Sequence, residues 1–159
     1  MAYFTHYWKY DTLDFHEELI ADGDLPTGLD HTAGEQFHAR EVRSRDWIYI
    51  VSFKQAQLRV VARLQVDRIV SESEAEQIFP YELWEASEHV VAVDGSGSPI
   101  RFDAVVAKGE VGAIRFIDAD GARLAPKRDR HGDVNPQTFR GVRKITEATA
   151  VMFDKVLGV

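Results

Sequence analysis

The chain has 159 residues, 45% of them apolar and 28% charged, which suits a single globular domain over residues 1–159 and excludes a disordered tail of that length. It has no cysteine, which excludes disulfides and thiolate metal sites, and no apolar run approaches the roughly 18 to 20 residues of a membrane-spanning helix. A net charge of −7 opposes indiscriminate wrapping of nucleic acid, and residues 1–10 lack the pattern of a secretory leader, so a cytoplasmic protein without membrane contact is expected.

Residues 2–8 are short and aromatic, as a strand requires. Asp11 or Thr12 is then placed to cap a helix whose apolar side is Leu13, Phe15, Leu19 and Ile20, ending near Gly23. Residues 23–34, punctuated by Gly and Pro, read as a loop, followed by a short helix over 35–40. Residues 47–53 are β-branched and aromatic, 54–57 make a turn, and 58–70 alternate polar with apolar. Together they predict an antiparallel hairpin whose second strand is long and bent or bulged. Ser71 and Glu74 form a capping box for a helix over 72–78, which Pro80 ends. Two further strands, 88–93 and 99–106, flank the turn-prone segment 94–98. A helix over 110–116, a polar loop over 118–134 and a helix capped by Thr146, with Ala150, Phe153 and Leu157 on one side, complete the chain. Strands and helices mix without regular βα alternation, which makes the class α+β.

Charge is segregated along the chain. Residues 11–24 carry six acids and no Lys or Arg, residues 72–94 carry seven acids and no Lys or Arg, and residues 123–144 carry seven basic residues against Asp129 and Asp133. One basic face on an acidic protein is the consequence, unless these are separate solvated faces.

No catalytic constellation stands out, and a binding module rather than an enzyme is expected. His31, Glu35 and His38 share helical spacing but match no zinc signature, and no nucleophile elbow or phosphate-binding glycine loop occurs, so no metal or cofactor is expected. The aromatics say more. Tyr7, Trp8, Trp47 and Trp84 stand near predicted loop mouths, where flat rings stack on bases. Asp30, His31 and Thr32 supply hydrogen-bonding groups from a neighbouring loop. Arg140 and Arg143, three apart on an expected helical turn, face the same way and suit phosphate, with Lys144 beside them.

The aromatic first strand, the 47–53 strand preceded by Val42-Arg-Ser-Arg-Asp46, and the following Val61-Ala-Arg-Leu-Gln-Val66 resemble the PUA-like superfamily, in particular its EVE branch. There a Gly-Asp pair usually precedes the second strand; here Arg45-Asp46 stands in its place, and only the Asp matches. Residues 29–34 and 137–143 also resemble EVE-like domains found beside HNH-type nucleases in bacterial restriction systems. The resemblance implies a partly open small β-barrel of five or six mostly antiparallel strands flanked by short helices. It implies recognition of a flipped base, modified or not, with DNA placed ahead of RNA as the ligand. The pocket would hold Tyr7, Trp8, Asp30, His31 and Thr32, while Arg140 and Arg143 would contact phosphates and a nuclease domain or subunit would be the partner. The competing reading is an acidic protein-interaction or regulatory domain that binds no nucleic acid.

Overall fold

A computed structural model describes residues 1–23 and 28–159. Strand β1 (Tyr3–Tyr7) leads into helix α1 (Tyr10–Ala21), and strand β2 (His31–Gly34) precedes the hairpin β3 (Trp47–Lys54) and β4 (Gln57–Val70). Helix α2 (Glu72–Ile78), strand β5 (Glu88–Ala92) and the single turn α3 (Lys108–Val111) follow. Then come the short strands β6 (Phe116–Ile117) and β7 (Arg123–Leu124), a 3₁₀ turn (Pro136–Phe139), strand β8 (Val142–Ile145) and helix α4 (Glu147–Leu157). All eight strands share one sheet in the order β2-β5-β4-β3-β1-β8-β6-β7. Only β1 and β3 run parallel.

This is α+β, with four helices beside an open sheet. Among the described residues eight strands replace the expected five or six, and their sheet does not close into a barrel.

Five expectations change. His31–Gly34, read as part of a loop, pairs with β5 as β2; residues 24–27 of that same reading lie outside the described residues. Residues 35–40 form turns rather than a helix, because the Glu88 carboxylate accepts from the backbone of Phe37 (2.8 Å) and His38 (3.2 Å) and holds the chain there. Residues 99–106 cross β4 without joining the sheet, tied by separate bonds such as Arg101 N to Val61 O (2.8 Å) and Val60 N to Ala104 O (3.0 Å). The helix expected over 110–116 is replaced by α3, which overlaps it only at Glu110 and Val111 and stops at Gly112, and Phe116 opens β6. At α1 the capping position falls on Lys9, which makes no side-chain cap; Thr12, one of the two expected caps, is buried.

Other local readings hold. The Ser71 hydroxyl accepts from Glu74 N, and the Thr146 hydroxyl from Thr149 N, each an N-terminal cap of the kind a Ser or Thr makes there. Strand β4 is bulged at two places. Ile50 pairs with Ala62 but Val51 with Val60, which leaves Val61 as an extra residue; Val66 pairs with Ala92 but Arg68 with Val91, which leaves Asp67 extra. Each extra residue reverses the inward–outward phase of the strand. Leu58 and Val60 therefore face one core, whereas Ala62, Leu64 and Val66, also even-numbered, face the other.

The two faces of the sheet bury two large cores and a smaller cluster of Val70, Ala75, Phe79 and Val91 at α2. On one face, Phe4, Trp8, Ile48, Ile50, Leu64 and Val90 meet Leu13 of α1. On the other, Tyr49, Val51, Phe116, Phe139 and Ile145 meet Ala150, Phe153 and Leu157 of α4. Each fully buried large side chain contributes about 1.5–3 kcal/mol. Asp154 fastens α4 to the sheet, accepting from the Tyr49 hydroxyl (2.8 Å) and from Arg63 Nη1 (2.8 Å). The Arg63 guanidinium lies 4.5 Å above the Trp47 ring.

Candidate functional site

The predicted base pocket separates into three places. Successive residues along a strand point to opposite faces of a sheet. Trp8, just past β1 and bonded through its backbone N to Val51 O (2.9 Å), continues that alternation, so the neighbours Tyr7 and Trp8 part company. Tyr7 is half-buried against the second core, where Trp47 also lies. Trp8 is 1% exposed inside the first core. Its indole Nε1 donates to the Thr32 hydroxyl at 3.0 Å, and its ring stacks on His16 at 3.9 Å. The Thr32 oxygen also meets His6 Nδ1 at 2.8 Å, and His16 Nδ1 meets Thr12 O at 2.8 Å. Indole can only donate, which leaves the Thr32 proton free for His6. A ring sealed and saturated in this way offers no face to a base. Trp84, half-buried, sets its ring at an angle to that of Phe15 with centroids 5.4 Å apart.

Burial acts on the histidines of this core. It pushes His6 down to about 3, with His16 adding repulsion, and lowers His16 to about 4 against the opposing bond to Thr12. Both are neutral at ordinary pH.

Asp30 and His31 form the third place, on the other side of β2 from Thr32. His31 is buried beside Phe79 (4.4 Å), Tyr81 (5.8 Å) and His89 (6.2 Å). Asp30 Oδ1 is 2.9 Å from His31 Nδ1, and the Tyr81 hydroxyl donates to the other carboxylate oxygen. Burial and this carboxylate raise the Tyr81 pKa. His89 is fully buried; burial first, then His31, lowers its pKa against an opposing backbone contact at Ala86. Glu35 and His38 are exposed while His31 is not, and among the described residues no three His, Asp or Glu side chains converge on a metal position. Nor is any helix of the described residues long and apolar enough to cross a membrane.

The predicted phosphate contacts do come together. Arg140, Arg143 and Lys144 line one hollow of about 560 Å³ with Arg40 and Lys127. The route differs from the helical turn expected for Arg140 and Arg143. The 3₁₀ turn is capped by Asn135, whose side chain accepts from Gln137 N (3.0 Å), and Arg140 follows it. Gly141 then adopts φ 76°, a left-handed conformation suited to glycine, beneath the Gln36 side chain; a Cβ there would stand 2.2 Å from Gln36 Oε1. Strand β8 carries Arg143 back into the same hollow. Its guanidinium lies 3.9 Å over the Phe116 ring, and Nη1 donates to Thr138 O at 2.8 Å. Partial burial, and next the Arg40 charge, lower its pKa from the usual arginine value.

Among the described residues no carboxylate lies within 4.0 Å of any of these five cations; the ion pairs of the chain are made elsewhere. Glu41 and Asp118 are the acids in the lining. A second hollow of about 420 Å³ shares Arg40, Glu41 and Lys144 and adds Arg43. Sequence reasoning missed Arg40 and Lys127 as site residues. Lys127 lay in the basic 123–144 stretch and was visible as charge. Arg40 gave no signal; it arrives through the tie between Gln36 Oε1 and Val142 N (3.2 Å).

The fold and the cleft together define an α+β protein with an electropositive hollow on an acidic body. Compared with known protein families and with curated proteins, the chain matches no family model and no curated sequence.

Proposed function

We propose that the protein is a nucleic-acid-binding module rather than an enzyme, with DNA as the first ligand to test. The observation that carries this reading is the cleft: five cations gather around one hollow with no ion pair among the described residues, in a chain of net charge −7. Like charges held together repel one another, and a phosphate set among them relieves that repulsion. Guanidinium groups suit phosphate geometry in particular. The adjoining hollow adds Arg43 to Arg40 and Lys144, with Glu41 and Asp46 also in its lining, and reaches toward Met1 and Ala2, giving a backbone a second point of contact.

Base reading, on this proposal, moves away from Trp8 to Asp30 and Tyr81, which present an acceptor and a hydroxyl beside the ring of His31. Strand β2 links the two regions, since it runs from His31 to Gly34 and leads directly to Gln36 and Arg40. The PUA-like reading, with the protein as the specificity part of a bacterial restriction or defence system beside a nuclease, draws support from two details. Arg45 adopts φ 77° at the position where the resembling motif carries Gly. The sheet, although open, also curls enough for Thr32 of β2 to reach Trp8 and His6 at β1.

The test is binding of matched DNA oligonucleotides, with and without modified bases, at several salt concentrations. The expected result is an affinity that falls with log salt at a slope of about −0.9 for each phosphate contacted on duplex, or about −0.7 on single strands. Undetectable binding of every oligonucleotide at low salt overturns the reading. Retention of a basic protein partner in its place would favour the acidic interaction domain.

A further inference from the structure

Resting on that reading, we infer that the cleft is a terminal-phosphate site: it takes a phosphate monoester, presented by the end of a strand or by a free nucleotide, in preference to an internal diester. Three features of the hollow point there. A phosphate monoester carries close to two negative charges and three terminal oxygens, where an internal diester carries one charge and has two free oxygens. Five cations line one hollow from separate segments, against two acids, Glu41 and Asp118, and this excess matches the monoester: Arg40 from the turn after β2, Lys127 from the segment after β7, Arg140 just after the 3₁₀ turn, and Arg143 and Lys144 from β8.

Size is the second feature. The hollow, about 560 Å³, lies within the range of roughly 300–1,000 Å³ typical of sites for one small ligand. One nucleotide unit fits that scale, and a run of several does not. The third feature is the asymmetry of its walls. Arg43 continues the lining past Arg40 and Lys144, with Glu41 and Asp46 beside them, whereas the β6–β7 side of the lining holds no cation: Ile117, Asp118, Ala119 and Leu124. A backbone continuing in that direction would bring its next phosphate against a carboxylate and apolar side chains, so a strand ends there. Phe116, which would serve as a stacking platform for a continuing base, is fully buried and covered by Arg143. Arg143 is the half-buried member of the set, held in place over Phe116 and by its bond to Thr138 O.

The experiment compares one labelled single-stranded oligonucleotide bearing a 5′-phosphate, a 3′-phosphate or hydroxyl ends, with a nucleoside 5′-monophosphate and inorganic phosphate as competitors. The expected result is at least tenfold tighter binding of a phosphorylated end than of hydroxyl ends. Competition by the mononucleotide at concentrations where inorganic phosphate fails would assign the site to a free nucleotide as well as a strand end. In Arg143→Lys, and in Arg140→Ala at an exposed position that folding does not need, the ratio of phosphorylated to hydroxyl binding falls toward one. Equal affinity for phosphorylated and hydroxyl ends overturns this inference while leaving the nucleic-acid reading in place. Failure of every oligonucleotide to bind removes both.

Discussion

The core around Trp8 and the cleft around Arg143 both hold polar groups in enclosed surroundings, and they treat them in opposite ways. Beside Trp8, one threonine hydroxyl serves an indole and an imidazole, and a second imidazole meets a backbone carbonyl. In the cleft, five cations outnumber Glu41 and Asp118, and among the described residues no carboxylate comes within 4.0 Å of any of the five. A buried polar group that is satisfied internally contributes to one specific structure; a set of like charges left unmatched costs stability and is accounted for by a ligand of opposite sign. The sequence reading placed stacking at Trp8 and phosphate contact at Arg140 and Arg143. The contrast reassigns Trp8 to architecture and keeps the arginines as the functional candidates.

The contrast can be broken by experiment. Trp8→Ala should cost about 3–5 kcal/mol, the usual penalty for emptying the site of a large buried aromatic. Urea denaturation reads it, and a loss below about 1 kcal/mol would return Trp8 to the list of ligand-binding rings. The next effect is on pH. His6 and His16, held at about 3 and about 4 in the folded chain, have an ordinary value near 6.5 when unfolded. Below pH 6.5 the unfolded chain therefore takes up protons that the fold refuses. Stability is undiminished by these groups above that pH and declines as pH falls from about 6.5 toward 4. Denaturation midpoints at pH 7, 5.5 and 4.5 follow the decline, and a double variant His6→Gln, His16→Gln should flatten it. An unchanged slope in the double variant would rule out these two rings as the source.

Smaller changes sharpen the same comparison. Thr32→Val keeps the shape but strands the Trp8 Nε1 donor and should cost about 1–3 kcal/mol, read by denaturation and by a shift in tryptophan emission. At the other region, Arg140→Ala and Lys144→Ala should move stability by no more than about 0.5 kcal/mol, because both side chains are exposed. Each should lower oligonucleotide affinity and reduce the magnitude of the salt slope by about 1. A clear loss of stability with unchanged binding would make the cleft structural and invert the comparison.

How much was legible depended on whether the signal was local. The 72–78 helix and its Ser71 cap, the Thr146 cap with Ala150, Phe153 and Leu157 inward, and the long bulged β4 all rest on contacts between residues close in sequence, or on a periodicity one segment carries by itself. Strand β2 was illegible because four residues, His-Thr-Ala-Gly, contain no alternating or β-branched run; β5 makes them a strand. The turns at residues 37–41 depend on a carboxylate about fifty positions away, at Glu88.

For the site, the sequence by itself determined the reservoir of charge: a basic stretch near the end of an otherwise acidic chain, with Arg140, Arg143 and Lys144 already in it. It also determined the aromatic and β-branched segments from which the sheet is built. Only the tertiary structure decided which rings are walls and which are filling, and which cation from a distant segment joins the cleft. The physical reason is the pleat. Neighbours in a strand face opposite cores, so Tyr7 and Trp8 can lie side by side in the chain and be separated by a sheet. Arg40 and Arg143, about a hundred positions apart, meet because Gln36 bonds the backbone of β8.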